Sequence, residues 1–399
     1  MEKEKLNLDS CLKCSYCNTV CPLVKACPEY PGPKKMGSDM ERFRREGIDC
    51  SLDWADYCLG CGQCELICPN QVHVAEYIAE AKKRQKKSGM KKLRDYMLAR
   101  PAMLGTMSTV AASFSNFAIK AAAPLMPLAG ISAKRRMPKY SSKVINGSDM
   151  QRKENQSKEP VLFFPGCFTL YNRPEIGIAS VKALEMAGYA VKIAETGCCG
   201  LPALGEAEKA KEDARRNIEA MEEAIRQGWK IVASCTSCGH TLKAKYEGLV
   251  KGDAQLVEMA RQLAANTYDL GELLLEADQA GVLIHHEQEK NSLKLAYHAP
   301  CHLKAQGIGT PWLQLLQNVF NINILDVDSG CCGMSGTYGF KKEKYDISMK
   351  IGQPLFQRLA ECNPEKVISE CATCRLQIEQ GSGYQAVHPV EIFAENYFQ

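Results

Sequence analysis

Residues 161–238 and 295–374 carry one cysteine order twice. The first copy runs from "VLFFPGC", ending at Cys167, through "AVKIAETGCCG" with Cys198 and Cys199, to "KIVASCTSC" with Cys235 and Cys238. The second runs from "KLAYHAPC", ending at Cys301, through "INILDVDSGCCG" with Cys331 and Cys332, to "KVISECATC" with Cys371 and Cys374. Matching cysteines lie 133 to 136 residues apart, which marks an internal duplication. Each group follows a short β-branched run, and helical patterns separate the runs. This alternation predicts βαβ units with parallel strands. Ligands of open α/β sheets bind beyond the strand ends, so five cysteines are expected to converge in each half.

The paired cysteines are not disulfides in waiting. Neighbouring Cα atoms sit about 3.8 Å apart, whereas a disulfide wants about 4.4–6.8 Å. Five thiolates are also one more than zinc or a cubane cluster uses. An enlarged iron–sulfur assembly is therefore expected, with the doublet bridging or holding neighbouring irons. Gly200 and Gly333 would bring backbone N–H groups close to the sulfur. A cubane cluster or zinc with one spare thiol, or inert core thiols, are the alternatives.

Two further runs stand near the start of the chain. "CLKCSYCNTVCP" gives Cys11, Cys14, Cys17 and Cys21 before Pro22, and "CLGCGQCELICP" gives Cys58, Cys61, Cys64 and Cys68 before Pro69. Both read C-x2-C-x2-C-x3-C-P, the ligand run of a [4Fe–4S] cluster whose fourth cysteine serves the other cluster. Cys11, Cys14, Cys17 and Cys68 are thus assigned to one [4Fe–4S] centre, and Cys58, Cys61, Cys64 and Cys21 to the other. A zinc ribbon, with ligands in pairs, does not account for the doubled run. Between the runs, Ser38 or Asp39 is expected to cap a short helix ending at Gly47.

Composition agrees with metal chemistry. A chain of 399 residues can bury cores without disulfide staples. No apolar segment followed by a cleavage site opens "MEKEKLNLDS", so a reducing cytoplasm is expected, where 21 cysteines mean metal rather than disulfides. A net charge of only +4 argues against nucleic acid. No G-x-G-x-x-G follows a strand and no phosphate-binding loop occurs, so no NAD, flavin or ATP site is read. Without a hydride carrier, such a chain needs a flavoprotein to oxidise an alcohol.

The stretch between the ferredoxin runs and the repeat is different in kind. "KKRQKKSGMKKLR" (82–94) and "KRRMPK" (134–139) bracket a segment, 97–132, whose only charges are Arg100 and Lys120, and these basic flanks are expected to meet an anionic surface, lipid headgroups or an acidic partner subunit, with a solvated lysine-rich helix face as the alternative. Met103, Met107, Val110, Phe114 and Phe117 recur at helical spacing as one apolar stripe. Six Ser, Thr or Asn residues interrupt the uncharged run 101–119. An amphipathic helix lying in a membrane surface fits better than a crossing one, with packing on the protein's own core or on a partner subunit as the alternative. Residues 141–160 are polar and read as a linker, and Pro124 and Pro127 end or kink the apolar segment. His298, His302 and His240 stand beside cluster cysteines, either tuning them, carrying protons to a quinone, or simply satisfied in the core. Cys27, Cys50 and Cys362 receive no role.

The cysteine pattern C, CCG, CxxC resembles the cysteine-rich (CCG) domain of the heterodisulfide reductase B family, in which two such halves bind non-cubane clusters. With the ferredoxin runs and the phrases "YPGPKKMG", "MPKYS", "TYGFKKEKYDIS" and "IGQPLF", the whole chain resembles the C (iron–sulfur) subunits of anaerobic glycerol-3-phosphate dehydrogenases. The resemblance implies an anaerobic-respiration and glycerol-metabolism subunit, peripheral on the cytoplasmic side of the cell membrane. It would take electrons from flavoprotein subunits and pass them to menaquinone. Some relatives lack a full cysteine set in the first half, so one or two further clusters, cubane or non-cubane, are expected beyond the two [4Fe–4S] centres. A catalytic disulfide reductase, the iron–sulfur subunit of a 2-hydroxyacid oxidase and a zinc scaffold are the rival readings. The expected architecture is α+β and multidomain: a helical ferredoxin domain (1–92), a connector (93–158), and first (159–290) and second (291–399) cysteine-rich α/β domains.

Overall fold

A computed structural model describes residues 8–48, 53–85, 88–143, 158–285, 293–320 and 322–398. Two four-stranded parallel sheets follow a helical N-terminal part. The first contains β1 (Pro160–Phe164), β2 (Ala190–Ile193), β3 (Lys230–Ala233) and β4 (Thr267–Asp269), in the order β2-β1-β3-β4. The second contains β5 (Leu295–Tyr297), β6 (Ile324–Asp326), β7 (Lys366–Ile368) and β8 (Ala386–Val387), in the equivalent order β6-β5-β7-β8. Each order reverses direction between its first and third strands, which is where ligands of such sheets bind. Cys167 and Cys235 follow the two strands at that point in one half, and Cys301 and Cys371 do so in the other.

Strand residues alternate between two cores, as a pleated ribbon requires. Val161 and Phe163 of β1 join Leu295 and Tyr297 of β5 in one shared core, while Leu162 and Phe164 face the first half's own helices and its cysteines. The shared core includes Trp312 and Phe393, both inaccessible to solvent. Burying an indole of this size contributes about 4–6 kcal/mol by area. Helix Leu270–Gln279 packs on helix Pro311–Phe320 so closely that a Cβ on Gly271 would lie 2.4 Å from the Trp312 ring.

The duplication extends to helix starts that the motifs did not reveal. Asp269, ending β4, accepts from Gly271 N–H at 2.9 Å while Glu272 accepts from its backbone N–H at 3.1 Å. After β8, His388 Nδ1 accepts from Val390 N–H at 3.0 Å while Glu391 accepts from its N–H at 2.7 Å. These are matched capping boxes. With Nδ1 accepting, Nε2 carries the proton and donates to the Ser234 carbonyl at 2.7 Å, tying the second half to the residue before Cys235.

Three sequence expectations are corrected. The helix between the ferredoxin runs is already helical at residue 33 and runs through a π-turn at Lys35–Asp39 into Met40–Arg45. Ser38 and Asp39 are therefore interior, and Asp39 pairs with Lys34 at 3.0 Å instead of capping, because proline at position 33 already starts the helix. The apolar connector is two helices, Pro101–Thr109 and Ala112–Ala121, followed by a 3-10 segment Ala123–Ala129 that holds both prolines. Its stripe residues Met103, Met107, Val110, Phe114 and Phe117 are 39–87 % exposed, so they do not pack on the protein's own core. Third, Arg94 and Arg135 of the basic flanks are buried structural residues. Arg94 joins Asp95 and Glu343, and Arg135 donates to Gly339 O and Gln377. Lys91, Lys92, Lys120, Arg136 and Lys139 remain exposed. Most of the linker, 144–157, lies outside the described residues, as does Cys50.

Candidate metal centres

Turns set by residues between the cysteines bring the ferredoxin thiols into two neighbouring pockets. Cys11, Cys14 and Cys17 line one together with Cys68, and Cys58, Cys61 and Cys64 line the other together with Cys21. Each fourth cysteine is delivered across by a short helical turn, Tyr16–Thr19 or Gln63–Leu66, ahead of its proline. Gly60 N–H donates to Cys58 Sγ and Val72 N–H to Cys68 Sγ, both at 3.4 Å. Burial, then the nearby Cys58, pushes the Cys21 thiol up to about 11.

Each half of the duplication collects its five cysteines beyond the strand ends. In the first half, Cys198 is within hydrogen-bonding reach of Cys167 and Cys199, Cys199 of Cys238, and Cys238 of Cys235. In the second, Cys331 is within hydrogen-bonding reach of Cys301 and Cys332, Cys332 Sγ lies 3.3 Å from Cys374 Sγ, and Cys374 meets Cys371. Gly333, at φ +89°, turns the chain so that its N–H donates to Cys331 Sγ at 3.3 Å. In the first half, Leu201 rather than Gly200 supplies the N–H, to Cys199.

Two junctions between the groups have no counterpart in the sequence pattern. Cys235 of the first half is hydrogen-bonded to Cys371 of the second, so the two five-cysteine groups share an edge. Cys61 lies close enough to both Cys301 and Cys331 for charge on it to raise the Cys301 thiol and for charge on Cys331 to raise its own, and Cys301 and Cys331 pack in the ferredoxin core. In space, the order is first ferredoxin pocket, second ferredoxin pocket, second half, first half. In the chain, the two halves come in the opposite order.

The histidines cluster at the seam. His302 stacks on His240 with ring centroids 4.7 Å apart and 15° between planes. Ser237 Oγ lies 2.9 Å from His302 Nδ1 and 3.4 Å from Cys371 Sγ. His298, buried, has its ring beside Cys332 and Cys374, and its Nε2 has no hydrogen-bond partner among the described residues. Burial pushes His240 down to about 3 and His298 to about 4, so both imidazoles are neutral. Ser237 was not singled out from the sequence, although its place inside the first CxxC motif was a usable signal. Cys27, buried, has its thiol 3.3 Å from Glu29, and the Cys362 thiol donates to the Leu359 carbonyl.

The donor chemistry fits iron–sulfur clusters. All 18 grouped thiols are free of disulfides, and hydrogen bonding to Cys167 and Cys199 pushes Cys198 well above the ordinary thiol range. So many sulfurs cannot ionise together in a buried seam unless cations neutralise them. Metal binding supplies that neutralisation and releases the thiol protons, and the backbone N–H donors match those that stabilise ligand sulfur.

Family models match the same architecture. A 4Fe-4S dicluster domain covers residues 7–72, and a cysteine-rich domain (CCG) covers 161–243 and again 295–379. The chain is 33 % identical over 402 aligned residues, 98 % of both chains, to the C subunit of the anaerobic glycerol-3-phosphate dehydrogenase of Escherichia coli (strain K12). The chain belongs to that family of iron–sulfur subunits. A glycolate oxidase iron-sulfur subunit from the same organism is 26 % identical over 96 % of this chain and 93 % of its own. The B subunit of the fumarate reductase (CoM/CoB) of Methanothermobacter marburgensis is 27 % identical over 58 % of this chain and 44 % of its own. The glycerol-3-phosphate dehydrogenase and glycolate oxidase relatives are named as subunits of larger dehydrogenases or oxidases. This family member is therefore an iron–sulfur subunit with a redox, metal-binding role and an implied partner subunit. No helix among the described residues is long and apolar enough to cross a membrane.

Proposed function

We propose that the chain is the electron-transfer subunit of an anaerobic glycerol-3-phosphate dehydrogenase complex, taking electrons from a flavoprotein partner and delivering them to menaquinone at the cytoplasmic face of the membrane. The observation that carries this reading is the series of neighbouring sulfurs that starts at Cys61 of the second ferredoxin pocket, near Cys301, and continues through Cys331, Cys332, Cys374 and Cys371 to Cys235, Cys238, Cys199, Cys198 and Cys167. In it, Cys11, Cys14, Cys17 and Cys68 hold one [4Fe–4S] cluster, and Cys21, Cys58, Cys61 and Cys64 hold a second. The two five-cysteine groups hold one or two more. When bound, such clusters supply one-electron transfer at potentials tuned by burial and hydrogen bonds, over about −700 to +450 mV.

The remaining residues provide placement. The ferredoxin part (1–92) docks its second pocket on the second cysteine-rich domain (291–399). That domain abuts the first (159–290), whose helix Gly166–Tyr171, carrying Cys167, packs on connector helix Pro101–Thr109. The exposed apolar face of the connector (93–158), with Lys91, Lys92 and Lys120 beside it, is suited to an anionic lipid surface. The family and the apolar connector support this assignment.

Anaerobically isolated protein should carry about eight or more iron atoms per chain with matching acid-labile sulfide. Electron paramagnetic resonance should resolve interacting centres on reduction. Reconstituted with its flavoprotein, the protein should become reduced by glycerol-3-phosphate and reoxidised by a menaquinone analogue. An iron-free, colourless protein of native shape ends this reading. The near full-length likeness to a glycolate oxidase iron-sulfur subunit supports a second one, in which the partner oxidises a 2-hydroxy acid. Reduction by glycolate but not by glycerol-3-phosphate would select it.

A further inference from the structure

A cleft of about 170 Å³, partly open to solvent, lies where segments belonging to three of the four cysteine groups meet. Cys58 of the second ferredoxin pocket lines it directly. Three more of its walls begin just after cluster cysteines: Leu201 to Glu206 follow the doublet of the first half, Ser335 to Tyr338 follow the doublet of the second, and His302 follows Cys301.

Its chemistry narrows the ligand. Ala75, Ile78, Leu201 and Leu204 give apolar walls. The three lysines along it are already paired, Lys82 with Asp56 at 3.6 Å, Lys83 with Glu80 at 2.7 Å and Lys341 with Asp95 at 3.0 Å. Among the described residues each lysine along the cleft therefore already has a carboxylate neighbour, whereas a neutral planar ring would find apolar walls and the uncharged polar groups of His302 and Thr337. This composition matches small-molecule sites generally, mostly apolar with a few placed polar groups. On the far side of Cys301 and Cys331, Lys25, Lys350 and Lys304, the last paired with Asp328 at 2.6 Å, line a different cleft.

The duplication supplies an internal comparison. His302 stands where the first half has Phe168, and His240 stands where the second half has Leu376. Both departures from the repeat fall on one stacked pair at this cleft's edge. Ser237 can give its single hydroxyl proton to only one neighbour. With Cys371 as a thiolate ligand, that proton goes to sulfur, His302 Nδ1–H donates to Ser237 Oγ, and Nε2 is left as an acceptor. A ring bearing a hydroxyl donor is what such a nitrogen would hold.

Access points the same way. Asp95, on helix Gly89–Leu98, lines the cleft, while Met90, Leu93 and Tyr96 of that helix are exposed and lead into the apolar connector. Resting on the reading that electrons leave to a quinone, we propose that this cleft is the quinone/quinol site, with His302 accepting from a ring hydroxyl of the reduced form. The ring takes up two electrons and two protons and becomes the quinol. The electrons come from the flavoprotein's substrate and the protons from solvent.

The test uses the full-length, cluster-loaded protein and the fluorescent quinol mimic 2-heptyl-4-hydroxyquinoline N-oxide, titrated by fluorescence quenching in detergent. Ala79, exposed at the mouth on helix Val74–Lys83, is replaced to fill the cleft without disturbing a core. The wild type should bind at one site, Ala79→Trp should weaken binding at least 10-fold, and His302→Phe about 5-fold or more, with iron content and resonance spectra unchanged. If the wild type binds and Ala79→Trp binds equally well, the cleft assignment is overturned while the quinone reading stands. If the wild type binds no mimic, both fall.

Discussion

At Gly333, the backbone sits at φ +89°, and a Cβ there would lie 2.1 Å from the Ser348 carbonyl oxygen. That carbonyl belongs to helix Tyr345–Cys362 and cannot swing aside as a side-chain tip could. The same turn aims the N–H of Gly333 at Cys331 Sγ. Gly333→Ala therefore pays a left-handed strain on the order of 1–3 kcal/mol and also forces a backbone shift. We expect iron to fall by one cluster's worth, from the second half only, with the ferredoxin signals retained in the resonance spectrum. Full iron content in this variant would mean that the turn is not what holds Cys331 and Cys332 in place. The cysteine groups themselves were legible in the sequence because spacing between ligands is a local property of the chain. The Ser237–His302–Cys371 contact was not, because its members come from two halves whose mutual orientation no spacing encodes.

At the scale of elements, strand runs and helix periods predicted the parallel sheets, since β1, β3 and β5 present alternating or fully buried faces. β4 and β8 escaped notice because "TYD" and "AV" are too short to carry a period. The connector's stripe was legible as apolar but not as broken. Arg100 and Ala111 both adopt non-helical backbone just before their helices, so one predicted helix becomes two. Phe114 and Phe117 are 73 % and 70 % exposed, so replacing them removes almost no packing from the fold. Phe114→Asp with Phe117→Asp should leave the melting temperature within about 2 °C, since exposed substitutions cost roughly 0.5 kcal/mol or less. Flotation with vesicles containing anionic phospholipid should fall at least 10-fold for this double variant. Undiminished flotation would leave the connector free for a partner subunit instead.

Over the whole molecule, the spatial order of the cysteine groups depends on one seam, where the ferredoxin part meets the second half. Ile351 and Tyr338 enter the ferredoxin core there, and a buried charge set crosses the boundary. Lys344, 1 % exposed, reaches Asp56 at 2.9 Å and stands 3.1 Å over the Tyr57 ring, while Lys341 and Arg94 converge on Asp95 at 3.0 Å each. Sequence could not reveal this seam, since Lys344 and Asp56 lie far apart in a chain rich in lysine and acid. Burial pushes the Lys344 ammonium down to about 8 even with Asp56 beside it, so near neutrality it is held mainly charged at some cost. Lys344→Ala leaves Asp56 with Lys82 alone, at 3.6 Å, and empties a filled site, which should cost about 2–5 kcal/mol locally. That cost falls on the docking surface rather than on β1–β4. Hydrogen exchange should quicken in helix Val74–Lys83 and across residues 338–345, while β1 and β3 stay protected. Asp56→Asn should weaken the same regions, and the double variant should fall short of the sum because the two residues act as a pair. Exchange that quickens evenly through both sheets would mean that Lys344 supports the fold as a whole, and the apposition of Cys61 with Cys301 and Cys331 would then need another cause.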